Sequence, residues 1–441
     1  MNIEINRALV NRRRFLQGSS SLALIGFLAA CADRDGSQGD PAELTGALGL
    51  LLGSHMTPVE TAAQTHADET NVDLEIEHVS TPDIRNVLTN AFMAQRSQWD
   101  SVFLTAEVVQ EMSERQWLTD VSDLLSAHTQ RDAFIAGTMT AADAGGQYLA
   151  VPWNVGAPIM HWNKNLLSEV GLDPEAPSNW HSQQNSWDTF VEYAKELTGS
   201  INGRNVYGFT DAWADTAVLH TWGSLLQMHG GRWFDDDGRP IFNSEAGQEA
   251  TQKLYDLLHT HEVVDPAVTT YTWVFDASPA FLNGTRAFFF TWPFMAGVAA
   301  DPEESEIAGD NGFAPQPAVE TSASVDGSEF LAIPAFAENT GEAERFLEYI
   351  LSPEVQKEIA MEGWATAFSD VNLDPEVLEK FPVNEAVVQS YEYPVDFGFS
   401  PDAAMWKSIL ADQIHSVLTG DADISSALDE AVSQIESERS S

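Results

Sequence analysis

The chain has 441 residues, more than one small hydrophobic core accommodates, so we expect at least two domains. It carries 67 acidic residues against 21 basic ones, a net charge of -46. Because the sequence has no basic stripe that could neutralise phosphates, this balance excludes nucleic acid as a natural partner.

The negative charge also bears on the solvent in which the chain folds. Charge of one sign repels itself and disfavours a compact state at low ionic strength. At 1 M salt the screening length falls to about 3 Å, so the repulsion weakens. We therefore predict a halophilic or salt-tolerant source and a fold that salt stabilises.

The first 31 residues are predicted to direct export. Residues 12–16, RRRFL, form a twin-arginine pattern, and the apolar run at 19–30 is too short to span a bilayer comfortably. The run closes on Leu-Ala-Ala-Cys, which resembles a bacterial lipobox, so Cys31, the only cysteine, is predicted to carry a lipid. The alternative is an N-terminal membrane anchor with an incidental cysteine. Residues 32–43 then predict a flexible tether to the outer face of the cell membrane.

From residue 44 the sequence alternates between strand and helix patterns. Strands are predicted at 44–52, 72–78 and 100–104, and helices at 58–69 and 81–96. This alternation predicts parallel pairing, and in such sheets ligands bind beyond the carboxyl ends of the strands. Residues that follow the predicted strands are Ser54, His55, Thr105 and Glu107.

Residues 145–164, GGQYLAVPWNVGAPIMHWNK, predict a turning point between two domains. An apolar run at 148–151 follows two glycines and predicts a buried strand that Pro152 ends. Trp153 and Asn154 then place an aromatic face and an amide where the regular backbone stops. An ordinary strand and turn with a core tryptophan is the alternative.

A second strand is predicted directly after this turn. The apolar run at 159–162 supplies it, and Asn163 is placed to cap a helix that begins at Lys164. The sequence therefore predicts that the chain enters a new element within a few residues of Trp153.

Residues 145–164 and the sequence after them resemble the extracellular solute-binding proteins of carbohydrate ABC importers, the maltose-binding-protein-like group. The likeness continues through NLLSEVGLDPEAP and VYGF to three later segments, GGRWFDDDGRPIFNSEAGQEATQKLYDLL, FLNGTRAFFF and LAIPAFAENTGEAERFLEYILSPEVQ. An earlier segment, QWDSVFL followed by QWLTDVSDLL, also fits. The resemblance covers nearly the whole mature chain and depends on the order of these segments.

The resemblance implies an α/β, two-lobed periplasmic-binding-protein-like fold of class II, joined by a multi-crossing hinge. The first lobe would comprise 44–154 plus 322–363, and the second 158–317 plus 365–441. Such a protein captures a sugar or oligosaccharide and delivers it to a membrane permease that works with a cytoplasmic ATPase. It would act as a monomer, without a cofactor or a metal and without catalysis.

The same resemblance, together with the abundance of tryptophan, predicts the ligand contacts. A pyranose packs its flat C–H faces on aromatic rings while its hydroxyls need directional donors and acceptors. The family commonly has Gly-Pro-Trp where this chain has Thr291, Trp292 and Pro293, so either Trp292 or Phe294 would supply the stacking face. The predicted contacts are Trp153, Asn154, His55, Glu107, Asp211, Trp213, Trp273, Trp292, Phe294, Glu329 and Trp364.

Two other interpretations stay open at this point. The same fold could bind a polyol or a polyamine, whereas a phosphorylated ligand is disfavoured because Arg232 and Arg286 lie far from the inferred cleft. A secreted carbohydrate-active enzyme would also be rich in tryptophan and acids. The sequence has no GxSxG, HExxH, P-loop or GxGxxG motif, which favours a binding protein. If Trp153 lines the cleft, Trp153→Ala should weaken ligand binding far more than it lowers the melting temperature.

Overall fold

The computed structural model describes residues 46–127 and 134–440. The predicted export segment, Cys31 and the tether at 32–43 lie outside the described residues. Within them, no helix combines the length and the apolar character needed to cross a lipid bilayer.

The first sheet combines four strands from residues 47–154 with one strand from later in the chain. Its strands are β1 Ala47–Gly53, β2 Asp73–Val79, β3 Ser101–Thr105, β4 Val151–Asn154 and β10 Glu329–Ala332, in the order β2-β1-β3-β10-β4. β1 pairs in parallel with β2 and β3, which confirms the predicted pairing of these three strands. β10 runs antiparallel to both β3 and β4, so the sheet is mixed.

Helices cover the first sheet and bury its apolar side chains. Leu50, Phe103 and Phe330 are completely buried in one continuous core. The helix predicted at 81–96 is shorter, because a 3-10 turn occupies Thr81–Asp83 and the backbone turns left-handed at Gln95. The helices of this lobe are α1 Thr57–Thr70, α2 Ile84–Met93, α3 Ala106–Glu114, α4 Ser122–Ala127, α11 Thr340–Ile350 and α12 Pro353–Met361.

The strand predicted at 148–151 is wrong in its position, because Pro152 lies inside β4 and does not end it. Pro152 pairs with Phe330 of β10. Proline has no N–H to donate, but β4 is an edge strand, where one side of the backbone needs no ladder partner. The strand therefore continues through Trp153 to Asn154.

The second sheet begins immediately after the first crossing. Its strands are β5 Ile159–Asn163, β6 Gly199–Ile201, β7 Arg204–Thr210, β8 Arg286–Thr291 and β9 Asn311–Ala314, in the order β6-β7-β8-β5-β9. β7 and β8 are parallel, and the other neighbours are antiparallel. This sheet forms the core of a second lobe.

The predicted cap at Asn163 is confirmed. The Asn163 side chain accepts a hydrogen bond from the backbone N–H of Leu166 at 3.2 Å, and α5 Lys164–Glu169 begins directly after it. A side-chain acceptor at this position satisfies one of the N–H groups that a helix leaves unpaired at its start.

The remaining helices pack around the second sheet over a core rich in aromatic rings. Trp162, Trp213, Trp222 and Phe209 are among the residues buried there. The helices are α6 Ser186–Glu196, α7 Val218–Met228, α8 Glu245–Tyr255, α9 Val274–Leu282, α10 Met295–Ala300, α15 Val383–Ser390, α16 Ala403–Leu418 and α17 Ile424–Arg439. Two further helices, α13 Ser369–Asn372 and α14 Pro375–Lys380, follow α12 in the chain and precede α15.

Three segments pass between the two cores, and their packing differs from the predicted boundaries. Ala323 and Val325, expected in the first lobe, pack in the core of the second. Phe368, Val371 and Val377, expected in the second lobe, pack in the core of the first. Each of these residues lies near a crossing, where an apolar side chain can be buried against either sheet. The last crossing therefore comes after α14, close to the start of α15.

Candidate ligand-binding site

One end of the first sheet, where β1, β3 and β4 finish, brings four predicted contact residues together. Glu329 begins β10 and pairs with Thr105 of β3 on one side and with Asn154 of β4 on the other. His55 lies in the turn after β1, and Glu107 lies in the first turn of α3, just after β3. This end of the sheet is thus built from the carboxyl ends of β1, β3 and β4, as the parallel arrangement predicts, and from the start of the antiparallel strand β10.

His55 and Glu329 form a polar pair at this end of the sheet. His55 Nε2 lies 2.8 Å from Glu329 Oε2, and the side chains are only 13% and 15% exposed. The His55 ring stands edge-on to Phe103, with 5.4 Å between the ring centroids. Its centroid lies 6.0 Å from that of Trp153 and 5.6 Å from that of Trp364. A hydrogen-bonding pair is therefore surrounded by aromatic rings.

Trp153 is buried more deeply than a simple stacking platform would be. Its side chain has no exposed surface, and its indole N–H has no hydrogen-bond partner among the described residues. Leaving a buried donor without an acceptor costs free energy. An acceptor supplied by a ligand or by water at this point would remove that cost.

The second lobe contributes a cluster of rings centred on His220 of α7. The His220 centroid lies 5.3 Å from that of Trp292, 5.7 Å from that of Trp273 and 5.6 Å from that of Phe397. Burial lowers the pKa of His220 to about 4, with a smaller contribution from the nearby ammonium of Lys407. His220 is therefore neutral at pH 7 and offers both a donor and an acceptor.

Trp292 and Phe294 occupy different places. Gly327, on the crossing between β9 and β10, runs so close to Trp292 that an added Cβ would lie 2.2 Å from its ring. Gly156, on the first crossing, would bring a Cβ to 3.9 Å from the same ring. Phe294 instead packs on Phe275 of α9, with 5.6 Å between the centroids. Trp292 thus lies against the hinge, and Phe294 lies further along the second lobe.

Asp211 and Trp213 lie in the core of the second lobe. Asp211 is 3% exposed and Trp213 is fully buried. Asp211 Oδ2 accepts hydrogen bonds from the Trp213 indole N–H at 2.8 Å and from the Thr221 hydroxyl, and its Oδ1 accepts from the Ala212 N–H. Burial raises the pKa of Asp211 to about 7, against the effect of these bonds. The bond from Thr221 connects Asp211 to the first turn of α7. Direct contact of Asp211 or Trp213 with a ligand stays a prediction.

A cross-lobe ion pair was missed by the sequence analysis. Lys407 Nζ, from α16 of the second lobe, lies 2.8 Å from Glu107 Oε1 of the first lobe. Burial alone would raise the pKa of Glu107, but Lys407 holds that pKa below its ordinary value. Burial lowers the pKa of Lys407 in spite of Glu107. No local pattern marks this lysine, because its partner lies 300 positions away.

Tyr391, directly after α15, ties the first two crossings together beside this ion pair. The Tyr391 hydroxyl lies 2.7 Å from Asp326 Oδ1 and 3.2 Å from the carbonyl oxygen of Gly156, whose oxygen also accepts from the Gly327 N–H at 2.8 Å. Asp326 Oδ1 accepts further bonds from the N–H and hydroxyl of Ser328. Asp326 Oδ2 is buried without a partner in the described part of the chain. Burial raises the pKa of Asp326 to about 6.

The arrangement provides aromatic faces and hydrogen-bonding groups from both lobes, next to a hinge. Within residues 46–127 and 134–440, no three His, Cys, Asp or Glu side chains come together as a group that could hold a metal ion. The aromatic faces and hydrogen-bonding groups suit non-covalent binding of a ligand with apolar faces and hydroxyl groups.

Comparison with known sequences also indicates a binding protein. The profile of the bacterial extracellular solute-binding protein family matches residues 54–357. A probable amino-acid ABC transporter periplasmic-binding protein of Sinorhizobium fredii is 25% identical over 277 residues, which span 62% of this chain and 58% of the relative. The mannitol-binding protein of Pseudomonas aeruginosa is 25% identical over 284 residues, 63% of this chain and 62% of the relative. The alignments thus span less than two thirds of these curated relatives, both of which are named as binding proteins.

Comparison with solved structures supports the fold along most of the chain. The maltose-bound MalE3 of T. maritima has a TM-score of 0.76 with this chain at 22% identity, covering 88% of this chain and 99% of MalE3. This likeness confirms the predicted two-lobed α/β fold.

Proposed function

This chain belongs to the bacterial extracellular solute-binding proteins, and we propose that it is the ligand-binding subunit of an ABC importer for a neutral sugar, oligosaccharide or polyol. The observation that carries the proposal is that each lobe holds an aromatic and polar half-site close to the crossing segments. One half holds His55, Glu329 and Trp364, and the other holds His220 and Trp292.

Both kinds of group that a carbohydrate needs are present. Partly exposed rings such as Trp292 and Trp364 suit the C–H faces of a sugar. The His55 and Glu329 pair and the neutral ring of His220 suit its hydroxyls. The names of the relatives agree with such a ligand in part, since one binds mannitol and a structural neighbour is bound to maltose.

The mechanism follows from the division of contacts between the lobes. Contacts made from both lobes at once exist only in a closed form, so a ligand that makes them shifts the population toward closure. The hydrogen bonds of Tyr391 with Gly156 and Asp326 tie the first two crossing segments to the end of α15, which favours a hinge motion. The closed pair of lobes would then be recognised by the permease.

The location follows from the N-terminal sequence. A twin-arginine signal and a lipid on Cys31 would export the chain and hold it at the outer face of the membrane, with residues 32–43 as the tether. We propose that the mature protein works there as a monomer beside its permease and ATPase.

The proposal is tested by combining small-angle scattering with an assay for turnover. The purified chain should become more compact when a neutral sugar or polyol binds, and the ligand should be recovered unchanged. Hydrolysis of a chromogenic glycoside by the purified chain would contradict the proposal. So would ligand binding without any change in the radius of gyration.

A further inference from the structure

Lys407 carries an ammonium group into an aromatic environment at the cleft. The residue is only 4% exposed. Its Nζ lies 3.2 Å from the ring centroid of Phe397, 5.5 Å from that of Trp406 and 5.8 Å from that of Phe399. Rings attract a cation through the negative charge on their faces, most strongly where water is excluded.

Carboxylates complete the surroundings of this ammonium. Glu107 reaches it from the opposite lobe at 2.8 Å. Asp326 on the hinge and Asp396 next to Phe397 are close enough to favour its charged form electrostatically. Aromatic faces and several carboxylates around one point are the components of a binding site for an organic ammonium ion.

We propose that the cleft contains an amine-binding site that the chain fills with its own Lys407, so that Lys407 sets the specificity of the cleft for uncharged ligands. A free amine would have to displace a tethered cation that already has its ion pair and its ring contact. An anionic ligand would meet Glu107, Asp326 and Asp396. This inference rests on the proposed function, because it names the class of solute that the same cleft accepts.

Removal of the tethered cation should leave the site open. Lys407→Ala keeps Glu107 and the rings in place and frees the volume of three methylene groups and an ammonium. Propylammonium has the same composition as the missing part, so it should bind there and restore the lost stability. Lys407→Met leaves an uncharged chain in that volume and should not respond to the amine.

The experiment measures melting temperatures at constant ionic strength. The proteins are the unmodified chain, Lys407→Ala, Lys407→Met and the control Lys380→Ala, whose lysine also lies over a ring, Phe381 at 5.0 Å, but is exposed. Each is tested with propylammonium chloride and with 1-propanol, which has the same shape and no charge. We expect propylammonium to restore at least half of the melting temperature lost in Lys407→Ala, and to leave the other three proteins unchanged. 1-Propanol should restore none of it.

Either of two results would overturn the inference. One is stabilisation of the unmodified chain by propylammonium, and the other is a Lys407→Ala protein that propylammonium does not rescue. If Lys407→Ala fails to fold, its refolding yield is compared with propylammonium and with 1-propanol, and equal yields overturn the inference. No carbohydrate is used, so failure of the proposed function in a sugar assay is a separate result.

Discussion

The ring centroids of Trp153 and Trp364 lie 5.2 Å apart, which joins the edge strand β4 to the segment that follows α12. The two residues differ in depth, since Trp153 is fully buried and Trp364 is partly exposed. Of these two tryptophans in contact, only Trp364 therefore has exposed ring surface on which a ligand could pack.

Trp153→Ala is expected to destabilise the protein, because the structure places Trp153 in the core of the first lobe. Removing a buried tryptophan costs about 3–5 kcal/mol of unfolding free energy. The sequence led to the opposite expectation, that binding would suffer more than stability. Chemical denaturation of Trp153→Ala and Trp153→Phe measures the loss, and a fall below about 1 kcal/mol in Trp153→Ala would return Trp153 to the role of a cleft platform.

Trp364→Ala is expected to act mainly on the ligand. An aromatic contact contributes about 0.5–1.5 kcal/mol beyond its buried area, so affinity for the bound sugar should fall roughly two- to tenfold. Titration calorimetry with the sugar or polyol that binds the unmodified chain checks this. An unchanged dissociation constant would show that Trp364 does not touch the ligand.

Gly327→Ala is expected to displace Trp292. A Cβ at this position would lie 2.2 Å from the Trp292 ring, and such a clash in a packed region costs about 1–3 kcal/mol or moves the ring. Ligand affinity should fall along with the stability of the hinge. Gly297→Ala is the matched control, because a Cβ there meets nothing within 4 Å. Equal affinities of the two variants would contradict a role for Trp292 in the cleft.

Asp326→Asn is expected to stabilise the protein at high pH and not at low pH. Burial raises the pKa of Asp326 from 3.8 to about 6, so its favourable contribution is complete below pH 3.8 and is lost as the pH rises through 6. Oδ1 accepts all three bonds and Oδ2 accepts none in the described residues, so asparagine can keep the network. The gain at pH 8 should reach at most about 3 kcal/mol. Urea denaturation at pH 4 and pH 8 gives the difference, and an equal effect at both would contradict the shifted pKa.

Salt is expected to raise the melting temperature strongly. The net charge of -46 produces repulsion between surface carboxylates that salt screens. A melting series from 0.1 M to 4 M KCl tests this, with sucrose as an uncharged control for solvent exclusion. A melting temperature that does not depend on salt would contradict a salt-adapted fold.

Local patterns predicted much of the first lobe and one helix cap in the second. The apolar run of β1, the strands β2 and β3 and the cap at Asn163 depend on neighbours within a few residues, so short-range reasoning finds them. The position of β4 was wrong because Pro152 ends a strand only where its missing N–H matters. At a sheet edge it does not, and the edge is a property of the whole sheet.

In the candidate site, too, local patterns identify some residues but not those whose position depends on distant parts of the chain. His55, Glu107, Asn154 and Glu329 follow from the rule for strand ends and from the resemblance to binding proteins. Lys407 could not be predicted, because MWKSIL reads as an ordinary helix and the burial of its lysine depends on a partner in the other lobe. The depth of Trp153 likewise depends on which segments pack over it.

The most direct test of the account is a thermal-shift screen of the mature chain in high salt against neutral sugars, oligosaccharides, polyols, amino acids and polyamines. A ligand that binds only the native state must raise the melting temperature, by an amount that grows with its concentration. We predict that an uncharged polyhydroxylated ligand stabilises the protein and that amines and amino acids do not. Stabilisation by an amine or an amino acid, with no response to any neutral sugar or polyol, would contradict the account.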